Sequence, residues 1–327
     1  MTYRTLGRSG LRVSAVGLGC NNFGRPGTVT ETQKGTDRVL HAAIDHGVTL
    51  LDGAEIYGYE FGRSETMMGH ALRGRRDEVV LASKFGHADY DSPIPHWGAK
   101  GARRYIRLAV EGSLRRLQTD VIDLYQFHTP DPLTPLEETL EALHELIDAG
   151  KVRYIGHSNF AAWQLARADA IAELHRHPRF VSAQNEYSLL RRGADRELLP
   201  AAKELGVGFL PYLPLYNGLF TGKFSREGGP ADTRIMRQRP HLVEHAPWDR
   251  IEAFEAFCAA RSIGMLEATI GWLLSRPALA SVIAGATTVE QVAQNAAAAQ
   301  AWTPTADDLA EIDALFPPGV DHPAHTS

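Results

Sequence analysis

Three segments of the chain carry the same phrase: an amphipathic helical run, a glycine, then a short apolar run. They are AIDHGVTLLD around Gly47, LIDAGKVRYIG around Gly150 and AKELGVGFLPY around Gly206. A glycine one step past a helix supplies the left-handed conformation that ends it, and the β-rich residues behind it read as a buried strand. Between these phrases the pattern predicts strands at 13–17, 49–52, 79–84, 122–128, 153–158, 180–185, 207–212 and 281–285. The intervening segments have the helical period. In PLEETLEALHELIDAG the residues Leu136, Leu140, Leu143, Leu146 and Ile147 fall on one face, and Ile106, Val110, Leu114 and Leu117 do the same. Eight nearly continuous apolar strands alternating with amphipathic helices imply a parallel sheet covered by helices, and eight such units close most naturally into one (β/α)8 TIM barrel of the α/β class.

Four stretches stand outside the repeat. YRTLGRSGLRVS at the start reads as a hairpin turning at 7–10 and placed to plug the bottom of the barrel. Segments 85–101 and 217–248, rich in Gly, Pro and aromatics, follow strands three and seven and so belong above the face where barrel enzymes keep their sites. The segment 317–327 reads as a flexible tail of a single domain spanning 1–327.

Composition supports this picture. The 327 residues are 44% hydrophobic and 22% charged, enough for one large core. A net charge of -5 and a pI near 6.3 give no basic footprint, so neither nucleic acid nor an anionic membrane is an expected partner. The start MTYRTLGRSG lacks the apolar region of a signal peptide, which makes the cytoplasm the expected location. Cys20 and Cys258 are too few for a disulfide framework and are not spaced as a metal clip; no metal is expected.

The chemistry lies in what ends the strands. LLDGAEIY runs from two leucines into Asp52, with Tyr57 on the loop behind it; VVLASK ends at Lys84 and IDLYQFH at His128. Such groups are costly to bury unless they meet one another. A lysine close to a phenol favours the phenolate and lowers its pKa, an aspartate fixes the lysine, and a histidine can hydrogen-bond a substrate carbonyl. Taken singly, an aspartate after a strand is more often a helix cap and a tyrosine more often packing. Four complementary groups at adjacent strand mouths are improbable as separate caps. The set suits proton delivery to an oxygen that gains negative charge during hydride transfer.

LLDGAEIYG, ASKFG and YQFHTPD, in this order and on these strands, resemble the signatures of the aldo-keto reductase superfamily, and the likeness runs over 3–316. The resemblance implies that Tyr57 is the general acid and base, Lys84 its pKa tuner, Asp52 the partner of the lysine, and His128 the carbonyl-orienting residue. It implies a nicotinamide cofactor too. Ser158, Asn159 and Gln184 resemble the ligands of the carboxamide, with Asp52 beside them. Tyr212 resembles the tyrosine under the nicotinamide ring, followed by Leu213, Pro214, Leu215, Gly218 and Lys223 along the diphosphate. Gly285, Thr287, Gln291, Gln294 and Asn295, in VIAGATTVEQVAQN, resemble the adenosine segment of the branch containing bacterial general reductases and potassium-channel β subunits. Gly19, Cys20 and Asn21 are expected near the ligand; GLGCNNFG lacks the third glycine of a dinucleotide fingerprint. Gly53 and Leu213 stand where many members have threonine and serine. Gly285 and Gln291 stand where some members hold the 2′-phosphate with lysine and arginine. NADP(H) is therefore expected on the strength of Lys223 and Arg234, with NAD(H) as an alternative.

The implied reaction is NADPH-dependent reduction of an aldehyde or ketone, reversibly alcohol oxidation. A glycosidase reading lacks an acid at strand seven, PYLPLY, and a metal hydrolase reading finds only GLG at strand one. A cofactor-sensing regulatory subunit with little turnover is the alternative. Phe23, Tyr59, Phe85, Trp97, Tyr216 and Trp248, with His128, are the expected pocket walls, suited to an apolar or aromatic carbonyl compound, and His87, Tyr90 and His96 are expected to add polar contacts.

Overall fold

Every predicted strand has its counterpart in the computed structural model, which describes residues 1–322. Two short strands, β1 (Tyr3–Thr5) and β2 (Arg12–Ser14), form the antiparallel amino-terminal hairpin. Eight parallel strands follow: β3 (Val16–Gly19), β4 (Leu50–Asp52), β5 (Val80–Phe85), β6 (Ile122–Phe127), β7 (Val152–Ser158), β8 (Ser182–Glu186), β9 (Gly208–Tyr212) and β10 (Val282–Gly285). They are ordered β10-β3-β4-β5-β6-β7-β8-β9. Phe209 of β9 closes the ring, its N–H donating to Ala278 O at 2.7 Å and its carbonyl accepting from Ala280 N at 2.9 Å. The result is a (β/α)8 barrel.

The helices between the strands are α1 (Gln33–Asp45), α2 (Arg63–Ala71), α3 (Arg103–Leu117), α4 (Leu136–Asp148), α5 (Ala162–His175) and α6 (Leu198–Leu205). The long connection after β9 holds α7 (Arg234–Gln238) and α8 (His241–Glu244). Then come α9 (Trp248–Ala260), α10 (Met265–Leu274), α11 (Val289–Ala301) and α12 (Ala306–Leu315). Gly47, Gly150 and Gly206, which end helices in the repeated phrase, have φ of 77°, 70° and 68°, the left-handed region that glycine enters without penalty. Among the described residues no single helix is long and apolar enough to cross a membrane.

Side chains alternate across each strand, so one choice of phase fixes which residues point inward. Leu50, Ala82, Leu124, Leu210 and Ile283 share one buried cluster, the barrel interior, with Leu6 and Val13 of the hairpin beneath them. Leu51, Leu81, Phe85, Tyr125 and Phe127 belong to the layer between sheet and helices. The hairpin therefore stoppers the barrel floor. Gly7, at φ 58°, comes so close that a Cβ there would lie 2.5 Å from Gly206 O.

The structure corrects the reading at the first strand. The run 13–17 is two strands: Val13 belongs to β2, and β3 begins at Val16. Ser14 makes the break, its hydroxyl donating to Val16 O at 2.7 Å and accepting from Thr49 N at 2.9 Å. A single serine inside a short apolar run does not announce such a turn. In the segment 317–327, Gly193 N donates to Asp321 Oδ1 at 2.7 Å and His322 N to Leu190 O at 2.8 Å, while 323–327 lie outside the described residues.

Candidate active site

Two residues beyond Leu50, Ala82 and Leu124 on the inward phase come Asp52, Lys84 and Gln126, and beyond Gln126 comes His128. The apolar interior thus gives way to polar groups at the carboxyl rim, and parity alone aims all of them at the axis. Lys84 is fully buried and each N–H of its ammonium has an acceptor: Asp52 Oδ2 at 2.7 Å, Gly53 O at 3.0 Å and the Tyr57 hydroxyl oxygen at 3.0 Å. A phenol oxygen that accepts from lysine keeps its own hydrogen to donate elsewhere. Asp52 Oδ1 accepts from Gln184 Nε2 at 2.9 Å, which ties β8 into the same cluster. The rings of Tyr57 and His128 meet edge to face with centroids 5.9 Å apart. The four residues expected to act together are therefore brought together.

Burial pushes the Tyr57 phenol up; the Lys84 ammonium opposes this, Asp52 adds to the rise, and the pKa ends above the ordinary tyrosine value. Lys84 thus acts in the expected direction, lowering the phenol pKa, but burial outweighs it. Sequence shows the attracting cation but not the loss of water around the phenolate. Burial also pulls the Lys84 ammonium down, yet attraction to Asp52 and Tyr57 outweighs it and leaves the lysine charged. Burial, followed by Lys84 and His87, holds His128 well below the usual histidine range, so its imidazole is neutral near pH 7. A protonated phenol, a fixed ammonium and a neutral imidazole converge on one rim.

The cofactor candidates form the adjoining arc. Asn159, at φ 61°, donates from Nδ2 to His128 O at 2.9 Å and to Ser158 Oγ at 3.1 Å, and its Oδ1 accepts from the Tyr212 hydroxyl at 2.9 Å. Ser158 Oγ donates to Gln184 O at 2.7 Å. Tyr212 is thus held by its hydroxyl beside the polar cluster. After Pro211 and Tyr212, Leu213, Tyr216 and Asn217 all have positive φ (51°, 46° and 60°), a cluster of strain of the kind kept at ligand sites. Pro214 and Leu215 lie within this bend, and a Cβ on Gly218 (φ 99°) would meet only Phe224, at 3.8 Å.

On the other side, Gly19 pairs in register with both Asp52 and Gly285, so a side-chain-free strip crosses β10 and β3. At Gly285 a Cβ would meet only Asn22 Nδ2, at 3.5 Å. Thr287 N and Oγ1 donate to Gln291 Oε1 at 2.7 and 3.2 Å, and Asn295 Nδ2 reaches Gly285 O at 3.5 Å, at the amino end of α11. Gln294 and Lys223 are exposed, and Cys20 is buried with its thiol bonded to Leu18 O. Open glycines, a helix amino terminus and hydrogen-bonding amides suit a dinucleotide with its phosphates.

Four of the expected pocket walls, Phe23, Phe85, Tyr216 and Trp248, are buried in the cores instead. Phe85 lies on the outward phase of β5, fully buried and stacked on Tyr125 and Phe127 at 4.9 and 5.0 Å. Phe23 is sealed in the same layer and Tyr216 in the cluster on the opposite side. Trp248 opens α9 and is buried there, donating from Nε1 to Val243 O at 2.9 Å. Tyr59 and Trp97 are 76% and 80% exposed, the latter with Arg104 over its ring. The rim next to His128 is formed instead by His87, 4.5 Å away between ring centroids, and by Tyr90, 4.9 Å from His87. The Lys100 ammonium pins this loop through the carbonyls of His87, Ala88 and Tyr90. His96 faces Tyr105 at 5.8 Å.

Residues 15–316 match the Aldo/keto reductase family along nearly the whole barrel. The chain belongs to this family. An uncharacterized oxidoreductase, YrpG, of Bacillus subtilis is 41% identical over 89% of both chains. The L-glyceraldehyde 3-phosphate reductase of Escherichia coli O157:H7 is 31% identical over 96% of this aldo/keto reductase and 92% of its own length. A probable voltage-gated potassium channel subunit beta of Oryza sativa is 33% identical over 90% of each. Both kinds of member that the sequence resemblance placed in one branch, bacterial reductases and potassium-channel β subunits, are therefore among the relatives, and an oxidoreductase role is supported.

Two residues escaped the sequence reading of this aldo/keto reductase. Glu55, inside LLDGAEIY, is fully buried, and Arg25 is within electrostatic range of Tyr57. The first carried a signal, a lone charge among small and apolar residues; the second carried none, because its place depends on how two distant loops meet.

Proposed function

We propose that this aldo/keto reductase reduces aldehydes or ketones with NADPH, and that Tyr57 donates the proton to the carbonyl oxygen. The observation that carries the reading is the Lys84 ammonium with all three N–H groups engaged, one of them on the phenol oxygen. The lysine stabilises the phenolate left behind when the proton departs, and Asp52 holds the lysine in place. His128, neutral and beside Tyr57, orients the carbonyl by hydrogen bonding. When bound, the nicotinamide supplies the hydride. Ser158, Asn159 and Gln184 would hold its carboxamide, Tyr212 its ring, residues 213–218 the diphosphate, and the Gly285–Asn295 arc the adenosine. Preference for NADPH rests on Lys223 and Arg234.

The channel-subunit relatives favour a second reading, a cofactor sensor with little turnover. Assay of NADPH and NADH oxidation against a panel of aldehydes, ketones and quinones separates the two. Tyr57→Phe is expected to lower kcat by ~10²-fold or more while NADPH affinity changes little. Undiminished turnover in purified Tyr57→Phe protein would refute the assignment of the acid, and silence of the wild-type protein across the panel would favour the sensor.

A further inference from the structure

Two arginines hang over the mouth on consecutive asparagines. Arg25, on the loop after β3, donates from Nε to Asn21 O at 3.0 Å and from Nη2 to Asn21 Oδ1 at 2.5 Å. Arg234, first residue of α7 on the long connection after β9, places Nη1 3.4 Å from Asn22 Oδ1 and Nε 3.2 Å from Gln238 Oε1. Arg237 Nη1 donates to Gly27 O at 3.1 Å, which clamps α7 to the loop after β3. Both arginines are only partly exposed.

The titratable and charged groups that face Arg25 are Tyr90, Arg239 and Tyr57; those that face Arg234 are Arg25, Arg239 and Tyr90. No carboxylate is among them. Burial and like charge pull both guanidinium groups down, Arg234 to about 10. Arg192 is met by Asp195 and Asp313 and Arg116 by Glu65, whereas Arg4, another half-buried arginine without an acid among the described residues, has its Nη1 on Leu279 O at 3.0 Å and no second cation beside it. Clustered, partly desolvated cations without a counter-charge are unfavourable unless an anion joins them. The anion expected here lies within electrostatic range of the phenol proposed to meet the carbonyl oxygen, since Arg25 sits on the loop that follows β3, the neighbour of the strand that ends at Asp52.

We propose that Arg25, with Arg234 beside it, forms an oxyanion subsite at the substrate mouth and selects carbonyl compounds that carry a carboxylate or phosphate group. The inference rests on the reading of the Tyr57 rim as a carbonyl site. The same phosphate chemistry is present on the cofactor, which Arg234 also serves in that reading; Arg25, held on Asn21 with Tyr90 and Tyr57 among its electrostatic neighbours, is assigned to the substrate, and the NADPH-affinity arm of the test separates the two sources. The aromatic pair His87 and Tyr90 lines the way from His128 to the arginines, leaving the carbonyl end at Tyr57 and the anionic end at Arg25.

The test compares kcat/KM for 4-carboxybenzaldehyde and benzaldehyde in the wild type, Arg25→Gln and Arg25→Lys, with NADPH affinity followed by nucleotide fluorescence. Arg25→Gln is expected to lower the ratio of carboxylated to neutral aldehyde by ~10- to 100-fold, Arg25→Lys by less, with NADPH affinity nearly constant. An equal fall for both aldehydes would overturn the subsite, and loss of NADPH affinity in step with activity would assign the anion to the cofactor. Wild-type protein tests the same point without substitution: rising salt should weaken only the carboxylated aldehyde. Calorimetry should show 4-carboxybenzamide binding more tightly than benzamide. If the wild type reduces neither aldehyde, the reductase reading fails and calorimetry still decides the subsite, equal binding of the two amides overturning it.

Discussion

Three residues beyond Asp52, the Glu55 carboxyl accepts at Oε1 from Gly86 N at 2.8 Å and from the Tyr105 hydroxyl at 2.6 Å, while Oε2 is buried without a partner among the described residues. Burial pushes this acid from 4.5 up to about 7, against the pull of Tyr105 and Gly86. Because the folded pKa lies above the unfolded one, its contribution to stability is complete below about 4.5 and is lost as pH rises to about 7. Glu55→Gln should therefore match the wild type in urea midpoint near pH 5 and exceed it near pH 8; the same difference at both pH values would contradict this. His157 works in the opposite sense. It is buried among Phe160 and Phe180, neither ring nitrogen has a partner among the described residues, and burial holds it from 6.5 down to about 3. Folding thus weakens as pH falls from 6.5 towards 3, where the unfolded chain takes up the proton first. His157→Leu should stabilise by ~1–3 kcal/mol, with a gain over wild type that widens between pH 7 and pH 5. Both contrasts are read from denaturation at the paired pH values.

At the scale of elements, alternation along a strand explains most of what the site contains. On β5 the same period that aims Lys84 at the axis turns Phe85 into the helix layer, so neighbours in ASKFG have unrelated duties. The ends of β4, β5 and β6 were legible as chemistry because a charged or titratable group after an apolar run has few other uses. Pocket walls were not legible, since they lie on loops whose course depends on contacts such as those of Lys100 with the His87–Tyr90 turn. The hairpin of β1 and β2 was legible as a plug from its turn residues and its position ahead of the repeat. Its seat is tight: an added Cβ at Gly7 would meet Gly206 O at 2.5 Å in a conformation already at φ 58°. Gly7→Ala should lower stability by more than ~1 kcal/mol, seen as a lower thermal midpoint. An unchanged midpoint would mean that the hairpin can lift from the floor without loss.

Across the whole molecule, the barrel concentrates its polar groups at one rim and fills its axis with Leu50, Ala82, Leu124 and Ile283. A chain of net charge -5 nonetheless brings Arg25, Arg234 and Arg239 within electrostatic range of one another. A ligand that binds only the folded barrel stabilises it by mass action, about 3 kcal/mol at a hundred times its Kd. NADPH should accordingly raise the thermal midpoint by several degrees, and NADH at equal concentration by less. Equal shifts would remove Lys223 and Arg234 from the discrimination of the two.

The sequence alone determined the number and order of the strands, the closure they imply and the polar groups that end them, because hydrophobic period and helix-ending glycines are local properties of the chain. Tertiary structure decided the rest. It set which phase of each strand faces the axis near the rim, which aromatics are sealed and which line the mouth, and whether burial or the Lys84 charge governs Tyr57. Each of these depends on how much water survives around a group once distant segments pack, and no stretch of sequence carries that quantity by itself.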